Sequence, residues 1–302
     1  MISIVIISKD EATLEGTLTD VIHQRGSLGE SVEIVVVDAS DGRLDDIRMR
    51  HETEVRWVQF VRPRGVRVSI PHQRNAGVRA ALGEVIVFTD AGCQPERGWL
   101  AELVAPLLRD EHVTAGLTLA APGSTGLYDR AARQAVQSRY LTEAATINLA
   151  FRRAAYDAIG GFDEDFAYGS DVDFTWRLTD AGFKIRSVPS AVVRHDWGGR
   201  RRQLRRSYAY GKARMRLLKK HRPRLLRVLR EDPVVVVYPV FLLGLPFTVL
   251  LFFLGLPLVL FSPLYPALLL VPAWRNRSNG AVRVLADHLV YGLGVLAELV
   301  IR

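Results

Sequence analysis

Along the first two hundred residues the hydrophobic positions switch between strand and helix periods. Ile2–Ile7 is a short β-branched apolar run, Thr13–His23 repeats its apolar positions at helical spacing, and Val32–Val37 is a second buried-strand run ending at Asp38. Trp57–Val61 predicts a third strand, His72–Leu82 a helix stopped by Gly83, and Glu84–Thr89 a strand ending at Asp90. This order predicts an α/β fold with a mainly parallel central sheet. Ligands of such sheets lie beyond the carboxyl ends of the strands. Polar residues stand there three times: Ser8 with Asp10, Asp38 with Ser40, and Asp90.

The pattern then changes character. From Pro233 to Trp274 run 42 residues without a charged side chain, about twice the roughly 20 residues of one helical bilayer span. The stretch predicts an apolar membrane hairpin over 233–274, either two spans turning near Gly255, Pro257, Ser262 and Pro263, or a re-entrant hairpin bent by its prolines. The last segment, 275–302, mixes apolar residues with Arg283, Asp287, His288 and Glu298. It predicts an amphipathic helix lying on the membrane surface or against the hairpin.

Charge sharpens this division. The net charge is +8, yet residues 200–230 hold 14 Lys or Arg and no Asp or Glu, so the remainder of the chain is net acidic. The segment 199–232 is therefore expected to form basic juxtamembrane helices that meet anionic lipid head groups. With Arg275 and Arg277 beyond the hairpin, both of its ends fall on the positive, cytoplasmic side. The expectation is a cell-membrane protein whose catalytic domain, 1–198, faces the cytoplasm. The start, MISIVIISKDE, lacks a basic region followed by an apolar core and a cleavage site. The single cysteine, Cys93, fits a reducing compartment. No nucleic-acid module accompanies the basic run, so nucleic acid is not an expected partner.

Candidate chemistry lies in the first domain. Neither a dinucleotide-binding G-x-G-x-x-G nor a Walker lysine loop occurs. A strand-end Asp such as Asp38 can instead accept hydrogen bonds from a base or ribose, or simply form a turn, and Arg74 can neutralise a diphosphate. Further on, GGFDEDFAYGSDVDFTWRLTDAGFKI pairs Gly160 and Gly161 with Glu164, Asp165, Asp171 and Asp173. Ser170 is expected to cap a helix running to Gly182, and Phe162, Phe166 and Trp176 are expected to be exposed. His195 ends an apolar run and is either structural or a metal ligand.

Taken together, five segments in order resemble the inverting family-two glycosyltransferases with the GT-A fold, from Met1 to about Trp197. They are ISIVIISKDEATLEGTLTDVIHQ, EIVVVDASDG, QRNAGVRAALGEVIVFTDAGCQP, INLAFRRAAYDAIGGFDEDF and SDVDFTWRLTDAGF. The resemblance implies that Ser8, Asp38, Arg74 and Asp90 bind a nucleotide-sugar donor, with a UDP-sugar favoured. It implies that Gly161, Phe162 and Trp176 belong to the acceptor loop, and that Asp171 is the general base, with Asp173 the runner-up. It also implies a divalent ion, Mg²⁺ or Mn²⁺, held by Asp90 and His195. Two positions depart from the family pattern. Gly92 replaces the second Asp of Asp-x-Asp, which usually binds the metal, and Ser170 replaces the Glu beside the base.

The expected function is transfer of one sugar to a polyprenyl-phosphate or other lipid-linked acceptor in the cell envelope. The alternative is a catalytically degenerate nucleotide-sugar-binding membrane scaffold. A nucleotidyltransferase would carry a glycine-rich basic loop after its first strand, where this chain has the acidic SKDEATLEG.

Overall fold

A computed structural model describes residues 1–63, 65, 70–121, 136–253, 269 and 280–301. The chain divides into two units, Met1–Trp197 and Gly198–Arg302.

The first unit is built on a sheet of nine strands: β1 (Ile2–Ser8), β2 (Val32–Asp38), β3 (Arg56–Gln59), β4 (Val85–Asp90), β5 (Cys93–Pro95), β6 (Val113–Ala120), β7 (Tyr140–Leu141), β8 (Leu149–Arg152) and β9 (Ile185–His195). Their order is β3-β2-β1-β4-β8-β6-β9-β5, with β7 pairing β9. The expected parallel arrangement holds across β3-β2-β1-β4. Beyond β4 the sheet is mixed, because β8 runs antiparallel to both β4 and β6. Register brings the polar strand ends together. Ser8 lies opposite Asp38, and Ile7 opposite Asp90, so three chain ends finish level with one another.

Strands covered on both faces read as continuous apolar runs, and every residue of β1 is buried. Ile2, Ile4 and Ile6 point to one face, where Leu14, Leu18 and Val21 of α1 (Leu14–Gln24) and Trp99, Leu100 and Leu103 of α4 (Trp99–Val104) cover them. Val5 and Ile7 point to the other. There Val78 of α3 (Ile70–Ala80) and Phe174 and Leu178 of α6 (Ser170–Asp180) complete the layer. Short α2 (Asp45–Arg50) and α5 (Arg153–Ala158) fill connections. A Cβ at Gly77 would stand 2.4 Å from Val5, so α3 lies directly on the sheet. The consequence is that α3 and α6 share one face.

The second unit is helical: α7 (Arg200–Lys220), α8 (Leu225–Glu231), α9 (Val234–Phe253) and α10 (Ala281–Val300). Helices α7 and α10 meet backbone to backbone, since a Cβ at Gly211 would lie 2.0 Å from the Tyr291 carbonyl oxygen and one at Gly294 would lie 2.1 Å from that of Tyr208. Helix α10 also packs on α9, where a Cβ at Gly292 would stand 2.9 Å from Tyr238 and His288 Nδ1 lies 3.1 Å from Tyr238 Oη. Asp287 and Glu298 are buried; Arg200 reaches Asp287 at 2.7 Å, and Lys212 and Arg216 reach Glu298 at 3.6 and 3.3 Å. Part of the basic run is thus matched within its own unit.

Helix α9 has twenty residues without a charged side chain, interrupted by Pro239 and Pro246. Among the described residues no helix is long and apolar enough to cross a membrane. The expected two-span hairpin is therefore not shown, and its turn at Gly255, Pro257, Ser262 and Pro263, with Arg275 and Arg277 beyond it, lies outside the described residues.

Candidate active site

The level ends of β1, β2 and β4 make a polar floor from the residues that close these largely apolar strands. Ser8 and Asp38 are buried side by side in register, and Asp90 ends β4 with its side chain 30% exposed. Ser40 Oγ donates to Asp38 Oδ1 at 2.5 Å and accepts from the Asp10 N–H at 2.7 Å, which fixes one Asp38 oxygen and the turn beyond it. The other oxygen, Oδ2, has no hydrogen-bond partner. Neither do Ser8 Oγ, Asp90 Oδ1 and Arg74 Nε, all four shielded from solvent. Buried polar atoms are nearly always paired. Four orphans gathered where ligands of such sheets bind are an incomplete hydrogen-bond set awaiting a polar molecule.

Helix α3 brings consecutive polar residues to its buried side. Gln73 Nε2 donates to the Ser8 and Val37 carbonyls at 3.0 and 3.3 Å, tying the two strand ends together. Arg74, only 5% exposed, donates from Nη1 to Ser170 Oγ at 3.2 Å, stands 3.9 Å from Asp90, and lies 5.6 Å above the Phe162 ring. Asn75 donates to the Phe162 carbonyl and accepts from the Phe162 N–H, both at 2.9 Å, and accepts from Tyr156 Oη at 2.8 Å. This clamp holds the Gly160–Gly161 turn against α3. Gly161 has φ +78°, and a Cβ there would stand 2.6 Å from Tyr156 Oη, so the turn requires glycine.

The acids of the downstream cluster divide. Asp171 is half-buried at the start of α6, where its Oδ1 accepts from the Val172 N–H. Burial raises its pKa above the ordinary carboxylate value, opposed by the nearby positive charge of Arg74. Asp173 is 0% exposed and bound to Arg177 at 2.8 Å, while Arg177 also donates to the Ile159 carbonyl. That ion pair is part of the helix packing, and Asp173 is withdrawn from the role of alternative base.

Several expectations need correction. Phe162, Phe166 and Trp176 are buried, not exposed. Phe162 stacks on Phe174 with centroids 4.0 Å apart, and Trp176 Nε1 donates to Glu143 at 3.0 Å. Burying these large rings closes the lower layer under the loop. Gly169, not Ser170, caps α6, with φ +79°. His195 sits in register with Cys93, its Nδ1 3.5 Å from Cys93 Sγ and its ring against Trp197 at 4.5 Å.

The divalent ion expected at Asp90 and His195 is not shown by this set. Among the described residues no three His, Cys, Asp or Glu gather in a ligating group. Gly92 has φ +84°, and a Cβ there would stand 2.9 Å from Thr13 Oγ1. Asp90 is the carboxylate at this strand end, and the cation beside it is Arg74. Sequence reasoning missed Gln73 as the strand tie, Asn75 as the loop clamp and Ser170 as the partner of Arg74. The available signal was a run of three polar residues, Gln73-Arg74-Asn75, inside an otherwise amphipathic helix.

An α/β domain with unpartnered polar atoms at the carboxyl ends of its parallel strands, and a half-buried carboxylate next to the Ser170 that Arg74 bonds, has the parts of a nucleotide-dependent transferase. Residues 3–154 match the profile described as Glycosyl transferase family 2, and 127–275 match Glycosyl transferase family group 2. The chain belongs to glycosyl transferase family 2.

It is 35% identical over 140 residues to the pre-mycofactocin glycosyltransferase of Mycobacterium tuberculosis, an alignment covering 41% of this chain and 29% of that protein. It is 24% identical over 166 residues to the glycosyltransferase AglE of Haloferax volcanii, covering 51% and 53%. The chain thus spans about half or less of these relatives' lengths. A mannosyltransferase from Pyrobaculum calidifontis, solved with GDP-Man and Mn²⁺, shares the fold with a TM-score of 0.71, at 21% identity, over 99% of this chain and 87% of that one.

Proposed function

We propose that the protein is an inverting glycosyltransferase that takes a sugar from a nucleoside-diphosphate donor bound across Ser8, Asp38, Arg74 and Asp90, with Asp171 as general base. The observation that carries this reading is the set of unpartnered buried atoms on those four donor-side residues. Asp38 and Ser8 suit the base and ribose edge, Asp90 the ribose hydroxyls, and Arg74 the diphosphate. Asp171 takes the proton of an acceptor hydroxyl as that oxygen bonds to the anomeric carbon. The bond to the diphosphate breaks on the opposite face, its electron pair leaves with the nucleoside diphosphate, and the configuration inverts. A hydroxyl is a poor nucleophile at neutral pH, and a base positioned this way contributes about 10²- to 10⁴-fold.

The acceptor in this reading is a lipid-linked glycan, whose hydroxyl supplies the proton that Asp171 takes, or a polyprenyl phosphate, whose ionised phosphate oxygen would attack with no proton to remove. The chain is attached to the cytoplasmic face of the cell membrane through residues 233–274. What supports attachment is the exposed apolar surface of α9, including Val240, Leu243, Phe247, Val249, Leu250 and Phe253. A basic segment precedes it, as anionic head groups would favour.

The test is a donor screen on the full chain with lipid extract as acceptor, following release of UDP or GDP from UDP- and GDP-sugars. One productive donor is expected. Release from none by a folded protein would reject the enzyme reading and favour a binding scaffold. Flotation with anionic vesicles tests attachment, and a chain lacking 233–274 that floats as well as the whole would reject it.

A further inference from the structure

Resting on the donor reading above, we propose that Arg74 is the fixed countercharge for the donor diphosphate, that Ser170 keeps it available, and that a nucleoside diphosphate consequently binds without a metal ion.

A guanidinium offers five N–H donors. That of Arg74 is nearly enclosed, yet its Nε meets no acceptor, its Nη1 meets a neutral hydroxyl, and the Asp90 carboxylate stands at 3.9 Å, beyond hydrogen-bond reach. The Phe162 ring covers one side of the guanidinium, 5.6 Å from its centre. A buried cation is costly unless hydrogen-bonded to an anion, so an under-bonded one facing the donor floor is matched to an anionic ligand.

Ser170 decides how much of that charge remains. Its Oγ occupies the place where a carboxylate side chain would meet Nη1 and neutralise it. Two positions beyond Asp90 stands Gly92, left-handed at φ +84°, in place of a second acid. His195, the other candidate ligand, faces Cys93 and Trp197. Ser170 thus puts a neutral hydroxyl on Arg74, while the carboxylates near it, Asp90 at 3.9 Å and Asp171, act on it through charge and not through a hydrogen bond.

The experiment is calorimetric titration of the full chain with UDP and with GDP, in EDTA and in millimolar Mn²⁺ or Mg²⁺, for the wild type and for Arg74→Met, Arg74→Lys and Ser170→Glu. The wild-type Kd is expected to change by no more than about threefold between EDTA and metal, well under the tenfold that 1.4 kcal/mol represents. Arg74→Met is expected to weaken binding roughly 10- to 100-fold in both conditions, the range for losing hydrogen bonds to a charged group. Arg74→Lys should recover part of this, and Ser170→Glu should weaken binding roughly tenfold in EDTA by neutralising Arg74.

Thermal melts confirm folding. Should Arg74→Met fail to fold, Arg74→Lys and Ser170→Glu carry the comparison. Binding that disappears in EDTA and is indifferent to the Ser170→Glu and Arg74 changes would overturn the proposal while leaving the donor reading intact. No binding of either nucleotide under any condition would instead remove the donor reading itself.

Discussion

Both units of this chain bury carboxylates, and they treat them in opposite ways. In the helical unit Asp287 and Glu298 are engaged by Arg200, Lys212 and Arg216 of α7, cations of the same unit. In the sheet unit Asp38 Oδ2 and Arg74 Nε have no hydrogen-bond partner, and Asp90 Oδ1 has only Arg74 at 3.9 Å; Glu298 Oε2 also lacks a hydrogen bond, but two cations of α7 stand beside its carboxylate. The difference separates architecture from site: a buried charge met by its neighbours holds helices together, while one left incomplete is reserved for something outside the chain. The same contrast recurs within α6, where Asp173 is paired with Arg177 while Asp171, two residues earlier, accepts a backbone N–H from Val172.

The largest effect is expected from the half-buried acid at the start of α6, beside the Ser170 that Arg74 bonds. Asp171→Asn is expected to lower kcat by about 10²- to 10⁴-fold, the usual contribution of a general base, with nucleoside diphosphate affinity unchanged. Coupled release of UDP or GDP reads the first and titration the second. Activity within tenfold of wild type would move the base elsewhere.

A pH profile is the next largest effect. Burial raises the Asp171 pKa, so the acid limb of kcat/KM should lie above the range of an exposed aspartate and fall about tenfold per pH unit below it. The stability sign comes from the same shift. A raised folded pKa favours the protonated form, so this group's stabilisation is present below its unfolded pKa and lost as pH rises through the folded value. Asp171→Asn should therefore be at least as stable as wild type near neutrality and lose that relative advantage at acid pH, as followed by urea melts. A variant less stable than wild type at neutral pH would show that Asp171 is structural.

The complementary change spoils a completed pair. Arg200→Ala leaves Asp287, whose side chain is 3% exposed, without its partner at 2.7 Å. Arg200 is 35% exposed, so the cost is expected at about 2 kcal/mol, between that of an exposed and of a fully buried pair. Denaturant melts would measure it. Restoration by Arg200→Ala combined with Asp287→Asn would confirm that the loss is an unpaired charge and not lost packing.

How much of this was legible in the sequence depends on where the physics is local. Strand runs such as Ile2–Ile7 and Val32–Val37 declare themselves because burial on both faces demands uninterrupted apolar residues, and the polar residues that end them, Ser8, Asp38 and Asp90, mark the crevice for the same reason. The mixed half of the sheet was not legible, since antiparallel β8 is four residues whose pairing to β4 and β6 is set by tertiary contacts. Ring burial at Phe162 and Trp176 depends on α6 packing against β8 and the loop, a relation across separate segments that composition cannot express. The pairing of Asp287 with Arg200 spans 87 positions, a separation that no local pattern reveals.

The mildest test adds an acid to the crevice where the strand end lacks one. Gly92→Asp introduces a side chain at φ +84°, where Thr13 Oγ1 stands 2.9 Å from its Cβ position. Aspartate tolerates the left-handed region better than most residues, and a hydroxyl can rotate aside. The cost is therefore expected near 1 kcal/mol, or about 2–4 °C in Tm. In exchange the strand end would carry two carboxylates, that of Asp90 and the introduced one two positions along. Mn²⁺ should then bind the variant measurably more tightly than the wild type in the absence of nucleotide. Equal Mn²⁺ affinity in the two proteins would mean either that the wild-type crevice already holds the ion or that the added acid turns away from Asp90. Nucleotide titration in EDTA separates these, because in the first case wild-type binding collapses on chelation, and in the second it persists through Arg74.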